Sequence, residues 1–298
     1  MKLEFDFGKA LGFFIEVIRA RPSAFVILSV WTILYGSVIS ALQLQAMGPQ
    51  MAALADVSAL GPDPTTDDTQ AVLNAFGNYF SAMLPYLAVG LIIGVVLEAA
   101  WLRVFVRGEN TGLFPFRLGA DELVYALAGV LVLLVMLIGL VVSTIGMFLV
   151  MLLFSFGGVA GAFIGGMLGF ILFMSVFIFA CILITPVPAL TILRQRVSLI
   201  EGMRGARQIF WPLLGCVIVA VLAAVVVYFV LMSVNAAMPF NEYGQLPGGG
   251  SAGLGSLIVY YAIFQALAIF PAAMLRGIAC YAALRIDDGG RPLADTFE

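Results

Sequence analysis

The sequence predicts an all-α integral membrane protein: six transmembrane helices, both termini cytoplasmic, and amphipathic interfacial helices ahead of the first and fifth spans. Three observations lead there. Of 298 residues, 63% are hydrophobic and only 10% charged, against about 25% charged in a soluble domain; there is too little polar surface to cover a water-soluble core. The apolar residues gather in runs of the ~20 or more that a helix needs to cross ~30 Å of hydrocarbon. The 14 Lys and Arg residues all fall in the segments at one end of those runs, which sets an orientation.

The first span is residues 23–44 and the second 79–102. From Leu123 to Leu193 there follow 71 residues without a charge, and then spans at 213–236 and 257–282. Charge decides how the long stretch divides. The bases are Lys2, Lys9, Arg19 and Arg21; Arg103, Arg107 and Arg117; Arg194, Arg196, Arg204 and Arg207; and Arg276, Arg285 and Arg291. The connections at 45–78 and 237–256 hold none, carrying Asp56, Asp63, Asp67, Asp68 and Glu242 instead. Basic segments mark the cytoplasmic side. Two spans in the stretch, 123–154 and 158–190, put every base on that side, whereas three would split them. Residues 45–78 and 237–256 then read as extracytoplasmic loops and 283–298 as a cytoplasmic tail, within one polytopic domain of a bacterial inner membrane. Trp101 and Trp211 beside basic segments, and Tyr79, Tyr260 and Tyr261 beside acidic ones, suit rings that prefer span ends. Acids among the few N-terminal bases argue against a cleaved signal peptide.

Residues 9–21 place Leu11, Phe14, Ile15 and Ile18 on one helical face and Lys9, Glu16 and Arg19 opposite. Residues 198–211 place Leu199, Met203, Ala206 and Phe210 on one face, with Arg204, Arg207 and Gln208 away from it. Both patterns fit helices lying under the headgroups, each followed by a proline, Pro22 or Pro212, that suits the first turn of the next span. FPFRLGADELVYAL, from Phe114, is a poorer version within the cytoplasmic loop 107–122, where Arg107, Glu109, Arg117, Asp121 and Glu122 are able to pair. A threefold series of cytoplasmic segment plus helical hairpin is the simplest organisation.

FGGVAGAFIGGMLGF, residues 156–170, carries Gly157, Gly161, Gly165 and Gly169, with Gly158, Ala162 and Gly166 as a second small file. Two spans leave ~20–30 of the 71 uncharged residues over, too apolar for a watery loop. The remainder reads as long tilted helices or a buried turn near Ser155–Gly158. The glycines then form a packing face on which another backbone approaches closely.

Glu98 and Arg276 are the acid and the base inside spans, at similar depth near the cytoplasmic end. They are candidates for an intramembrane charge pair or, singly, for snorkelling to the interface. Gln265 and Asn235 suit interhelical hydrogen bonds, and Pro85 and Pro271 mark kinks. Arg19, Arg21, Arg194, Arg196, Arg204 and Arg207 are candidates for anionic-lipid contact. Histidine is absent, which argues against Ser-His hydrolysis and most zinc or haem chemistry. Cys181, Cys216 and Cys280 read as free buried thiols. TTDDTQ, residues 65–70, lacks the second acid pair of a metal or diphosphate site. No metal and no cofactor is expected.

At PVPALTILRQRVSLIEGMRGARQIFWPLLG, residues 186–215, the chain resembles the membrane domain attached to some glycerophosphoryl diester phosphodiesterases and related bacterial six-helix families, through Pro186, Ser198, Arg204, Phe210, Trp211 and Gly215. The resemblance implies a six-helix membrane domain without catalysis, since in that family the activity belongs to a separate barrel with histidine and metal-binding acids. The expectation is a non-enzymatic scaffold or regulator touching membrane lipids, as a homo- or hetero-oligomer without nucleic acid. The alternative is a transporter or channel component for a small apolar or lipid-like solute.

Overall fold

The computed structural model describes residues 4–58, 66–236 and 253–288. Every regular element among them is a helix: α1 (Phe7–Ala20), α2 (Pro22–Ser58), α3 (Thr66–Val106), α4 (Ala120–Ser155), α5 (Gly158–Ile184), α6 (Val187–Arg194), α7 (Leu199–Gln208), α8 (Phe210–Ala236) and α9 (Leu254–Asp287). Six of the segments are long and apolar enough to cross a membrane: α2, α3, α4, α5 running on into α6, α8 and α9. The chain is a polytopic membrane protein.

Local chemistry explains most boundaries. Asp6 caps α1, its Oδ1 accepting from the Lys9 amide at 3.0 Å, and Pro22 opens α2, where its missing N–H is not needed. At α4 the Gly119 amide donates to Glu122 Oε2 at 2.9 Å, tying the helix start to its own first turn. Between α4 and α5 the chain reverses over Phe156 and Gly157, and Gly158 takes φ +70°, a conformation that suits a residue without Cβ. Pro186 stands at the break between α5 and α6, so the segment read as a fourth span ending at 190 is a long helix, a turn and a short helix.

Two connections differ from the sequence reading. Much of 45–78, expected to be loop, is helix, because α2 continues to Ser58 and α3 begins at Thr66. The helix runs on through Gly48 and Pro49 among Gln, Met, Ala and Leu residues, and helix satisfies its own backbone hydrogen bonds wherever the bilayer ends. At the other terminus α9 runs to Asp287, taking in the start of the expected tail. The expected linker is described only from Gly253, and the side chains of Asp56, Asp63, Asp67, Asp68, Asn235 and Glu242, with Lys2 and Arg291, lie outside the described residues.

The core sits at the end of the bundle that carries the bases. Its buried members include Phe13, Phe14 and Val17 of α1, Ala24 and Leu28 of α2, Trp101, Leu102 and Phe105 of α3, Leu190 and Ile192 of α6, Ala206 of α7, Leu213 and Cys216 of α8, and Ile278, Cys280, Tyr281 and Leu284 of α9. Towards the other end the helices present apolar side chains outward, from Leu84 to Ile92 on α3 and from Leu133 to Leu153 on α4. A small second cluster joins Ala41 of α2 to Leu257 of α9 there. α1 packs on α9, α2 lies between α3 and α9, and α4 pairs chiefly with α5.

Both amphipathic helices bury part of the face read in the sequence (Phe14 and Ala206 are buried, and Leu11, Ile18 and Phe210 pack partly buried on the core) and add neighbours to it. In α1 the buried residues are Ala10, Phe13, Phe14 and Val17, while Ile15 is exposed. In α7 they are Gly202, Gly205 and Ala206, with Ile200 exposed. The reason is close packing. A Cβ on Gly202 would come within 2.9 Å of the Val187 side chain and one on Gly205 within 2.6 Å of Ile286; Gly277 of α9 similarly admits Phe14 at 2.9 Å. Close approach of helix backbones adjusts the buried face.

The glycine file of α5 meets α4 of the same chain. A Cβ on Gly165 would lie 2.7 Å from Phe154 Cβ and 3.1 Å from Met151 Cα, one on Gly169 2.8 Å from the Met147 carbonyl oxygen, and one on Gly161 would run into the Phe154 carbonyl. Gly166, one residue round the helix, has nothing within 4 Å of such a Cβ. Gly165→Leu is therefore expected to lower the melting temperature of the detergent-solubilised protein by several degrees, in keeping with about 1–3 kcal/mol for overpacking. Gly166→Leu should leave it unchanged. Equal behaviour of the two variants in a thermal-shift measurement would reject the packing face.

Candidate functional site at the basic end

The charged residues of the basic end form three groups stacked on the same core. The deepest joins α3 to α9. Arg276 Nε donates to Glu98 Oε1 at 2.8 Å and Arg276 Nη2 to Glu98 Oε2 at 2.6 Å, a two-pronged ion pair with both side chains partly buried. The guanidinium also lies 5.0 Å over the Trp101 ring, a cation–π contact of about 0.5–2 kcal/mol. The Trp101 indole N–H donates to Thr32 Oγ1 at 3.1 Å, and that hydroxyl donates to the Leu28 carbonyl at 2.8 Å. One polar chain thus ties α2, α3 and α9 together inside the spans. Tyr125 of α4 and the fully buried Cys280 lie within electrostatic reach of both charges. Chemically the group neutralises two charges where each alone is costly.

The sequence placed Trp101 at the membrane interface as an anchoring ring. It is instead 1% exposed, because its N–H finds Thr32 and its face finds Arg276. Trp211, at 77% exposed, is free to lie against lipid.

The second group caps the α3–α4 connection. Arg107 grips Asp121 with Nη1 at 2.7 Å and Nη2 at 3.1 Å, and also donates to the Ile192 carbonyl of α6. Arg103, buried, pairs with the buried Glu122, and Glu109 lies 3.8 Å from Arg103 and 3.4 Å from Arg107. Burial works against the Arg107 charge, but the hydrogen bonds and charges of Asp121 and Glu109 outweigh it and raise its pKa above the ordinary arginine value. The guanidinium therefore stays charged at any working pH. The sequence reading named Arg107, Glu109, Asp121 and Glu122 of this group; Arg103 joins them from α3, and Arg117, also expected to pair, makes no ion pair among the described residues. A polar cavity of about 300 Å³ opens beside this group, lined in part by Arg103, Arg107, Asp121, Arg117 and Gln195.

The third group separates the six arginines read as lipid contacts. Arg194 pairs with Glu201 and donates to Asp287 at 2.6 Å, and Arg196 reaches Glu201 at 3.2 Å. Arg194 thus ties the end of α6 to α7 and α9, while Arg196, itself exposed, reaches α7 through the same carboxylate. Arg21 is folded in over Gly108, whose φ of +67° and missing Cβ leave room for the guanidinium. Arg19, Arg204 and Arg207 are exposed, and none of them makes an ion pair among the described residues. Gln265, in the span, presses its amide against Gly36 of α2, where a Cβ would come within 2.7 Å.

Residues the sequence did not single out are Thr32, which receives the Trp101 N–H, and Trp31. The Trp31 indole donates to the Leu113 carbonyl at 2.9 Å, holding the α3–α4 loop against α2. No local pattern announces either contact, since the partners are 69 and 82 positions apart.

Removing one member of a buried pair typically costs about 3–5 kcal/mol. Glu98→Arg and Arg276→Glu are each expected to abolish the monodisperse peak of the detergent-extracted protein in size-exclusion chromatography. The double exchange should restore it in substantial part. A double variant as poor as the two singles would show that the charges do not act as a pair.

No protein-family model, curated protein or solved structure matches the chain.

Proposed function

We propose that the chain is a non-enzymatic scaffold or regulator of a bacterial inner membrane that holds anionic lipid headgroups at its cytoplasmic, basic end. One observation carries this reading. Arg19 on α1 and Arg204 and Arg207 on α7 are exposed without an ion-pair partner among the described residues, on helices whose other faces are packed into the core. Other basic side chains at this end, including Arg103, Arg107, Arg194, Arg196 and Arg276, are neutralised by acids of the chain itself. Cations left over on rigid, membrane-level helices attract anionic headgroups, each contributing about 1 kcal/mol. The resemblance of residues 186–215 to the membrane domain of glycerophosphoryl diester phosphodiesterases supports the same reading, because it implies a membrane domain without chemistry of its own.

Carriage of an apolar or lipid-like solute is the second reading. It draws on Glu98, which keeps 30% of its side chain exposed, and on Gly94 one turn away, whose surroundings are open within 4 Å. Flux into proteoliposomes above an empty-vesicle control, reduced by Glu98→Gln, would favour it over the scaffold.

The scaffold reading predicts that native mass spectrometry from mild detergent finds phosphatidylglycerol or cardiolipin retained on the wild-type protein. The triple variant Arg19→Gln, Arg204→Gln, Arg207→Gln should weaken that retention by roughly a hundredfold, the equivalent of about 3 kcal/mol. Equal retention by the two proteins would reject the role of these arginines. Absence of both lipid and any co-purifying protein would reject the scaffold.

A further inference from the structure

Residues 107–119 join α3 to α4 without helix, and the two halves of this loop differ. The first, from Gly108 to Gly112, is small and polar and lies beside the Arg103–Glu122 group. The second, LFPFRL, turns its apolar side chains outward: Leu113 is 73% exposed, Phe114 67% and Leu118 86%. In a loop facing water this exposure would be unfavourable by about 25 cal/mol for each Å² of apolar surface. Its position resolves the difficulty. Trp31 of α2 donates to the Leu113 carbonyl at 2.9 Å, meets the Phe116 ring edge-on at 4.8 Å and lies 5.7 Å from the Phe114 ring. Trp31 is nine positions into α2, about 13 Å along its axis at 1.5 Å per residue, and within a segment apolar enough to span. Beside it Val26, Val30 and Leu34 face outward from the same helix. The next residue, Thr32, holds Trp101 and through it the Glu98–Arg276 pair.

We propose that residues 113–118 form a wedge inserted in the bilayer leaflet at the basic end. Leu113, Phe114, Phe116 and Leu118 enter the boundary between headgroups and acyl chains, with Arg117 at the level of the phosphates. The occupant of this face is the phospholipid leaflet itself, because the loop is anchored to the flank of a spanning helix and continues that helix's outward apolar surface. The chemistry matches on both counts. Arg117 is exposed and has no ion-pair partner among the described residues, and an arginine among apolar side chains reaches for phosphate. Pro115 lacks an N–H, and the Trp31 indole satisfies the Leu113 carbonyl, so fewer backbone groups are left to be solvated at that depth. In the threefold series of segment plus hairpin, this loop takes the place that α1 and α7 hold before the other two hairpins. It does so by insertion rather than as a helix, and it does not depend on Arg19, Arg204 and Arg207.

Spin labelling of the full-length protein tests this in vesicles of phosphatidylethanolamine with phosphatidylglycerol. Nitroxides are placed at Leu118→Cys and, separately, at Asn110→Cys, both exposed positions of the same loop. Cys181→Ala removes the half-buried native thiol, and Cys216 and Cys280 are buried; protein labelled without the new cysteine is the blank. The label at 118 is expected to collide several-fold more with dissolved oxygen than with a water-soluble nickel chelate, and the label at 110 to show the reverse. Preference for nickel at both positions would place the loop in water and overturn the proposal. Preference for oxygen at both would overturn the division of the loop. Protection of position 118 from both reagents would show another protein surface covering it and overturn the leaflet assignment. Neutralising Arg19, Arg204 and Arg207 should leave the pattern at 118 unchanged, so failure of the headgroup reading and failure of the wedge are separable.

Discussion

The constraint on which the rest depends is the change of solvent along the helices. In hydrocarbon, apolar side chains gain nothing from leaving lipid for one another, so burial there has no hydrophobic drive. Near water the drive returns, at about 1.5–3 kcal/mol for each large apolar side chain fully buried. The core follows that gradient. Phe13, Trp101, Phe105, Leu190, Ile209 and Ile278 are buried at the basic end, whereas α3, α4 and α5 carry exposed Leu, Val and Phe along most of their remaining length. A soluble helical bundle would have its densest packing at the middle of its helices.

Small residues and fixed charges hold the helices as well, the first along the spans and the second beside the core. Gly161, Gly165 and Gly169 let α5 reach the backbone of α4, and Gly277 lets α9 reach α1. Arg276 on Glu98 supplies a directional bond between helices far apart in the chain, and Arg107 on Asp121 one across the α3–α4 connection. Each charge is worth little alone and is costly if left unpaired at that depth. The pairs therefore specify which helices meet.

That bookkeeping of charge bears directly on function. Many acids at the basic end pair with internal arginines, and among the described residues the exposed bases without an ion-pair partner lie on α1, α7 and the α3–α4 loop. The proposed headgroup surface and the proposed apolar wedge would be complementary ways for such an end to engage a leaflet. The first reads charge and the second reads the apolar boundary beneath it.

Composition, the six apolar segments and the one-sided placement of bases were determined by the sequence alone. They are partition properties, summed along the chain, and hydropathy reads partition directly. The glycine-rich break near 157 and the acid pair after Gly119 were also local, written in conformational freedom and capping. The buried faces of α1 and α7 were legible only in part, because Gly202, Gly205 and Gly277 adjust them through contacts with Val187, Ile286 and Phe14 on other elements. Nor could the sequence say that Arg194 and Arg196 are occupied while Arg204 is open, or that Trp101 is enclosed and Trp31 holds a loop. Inside a bilayer, apolar faces compete on nearly equal terms. Shape and pairing between distant residues decide among them, and only the tertiary structure contains those distances.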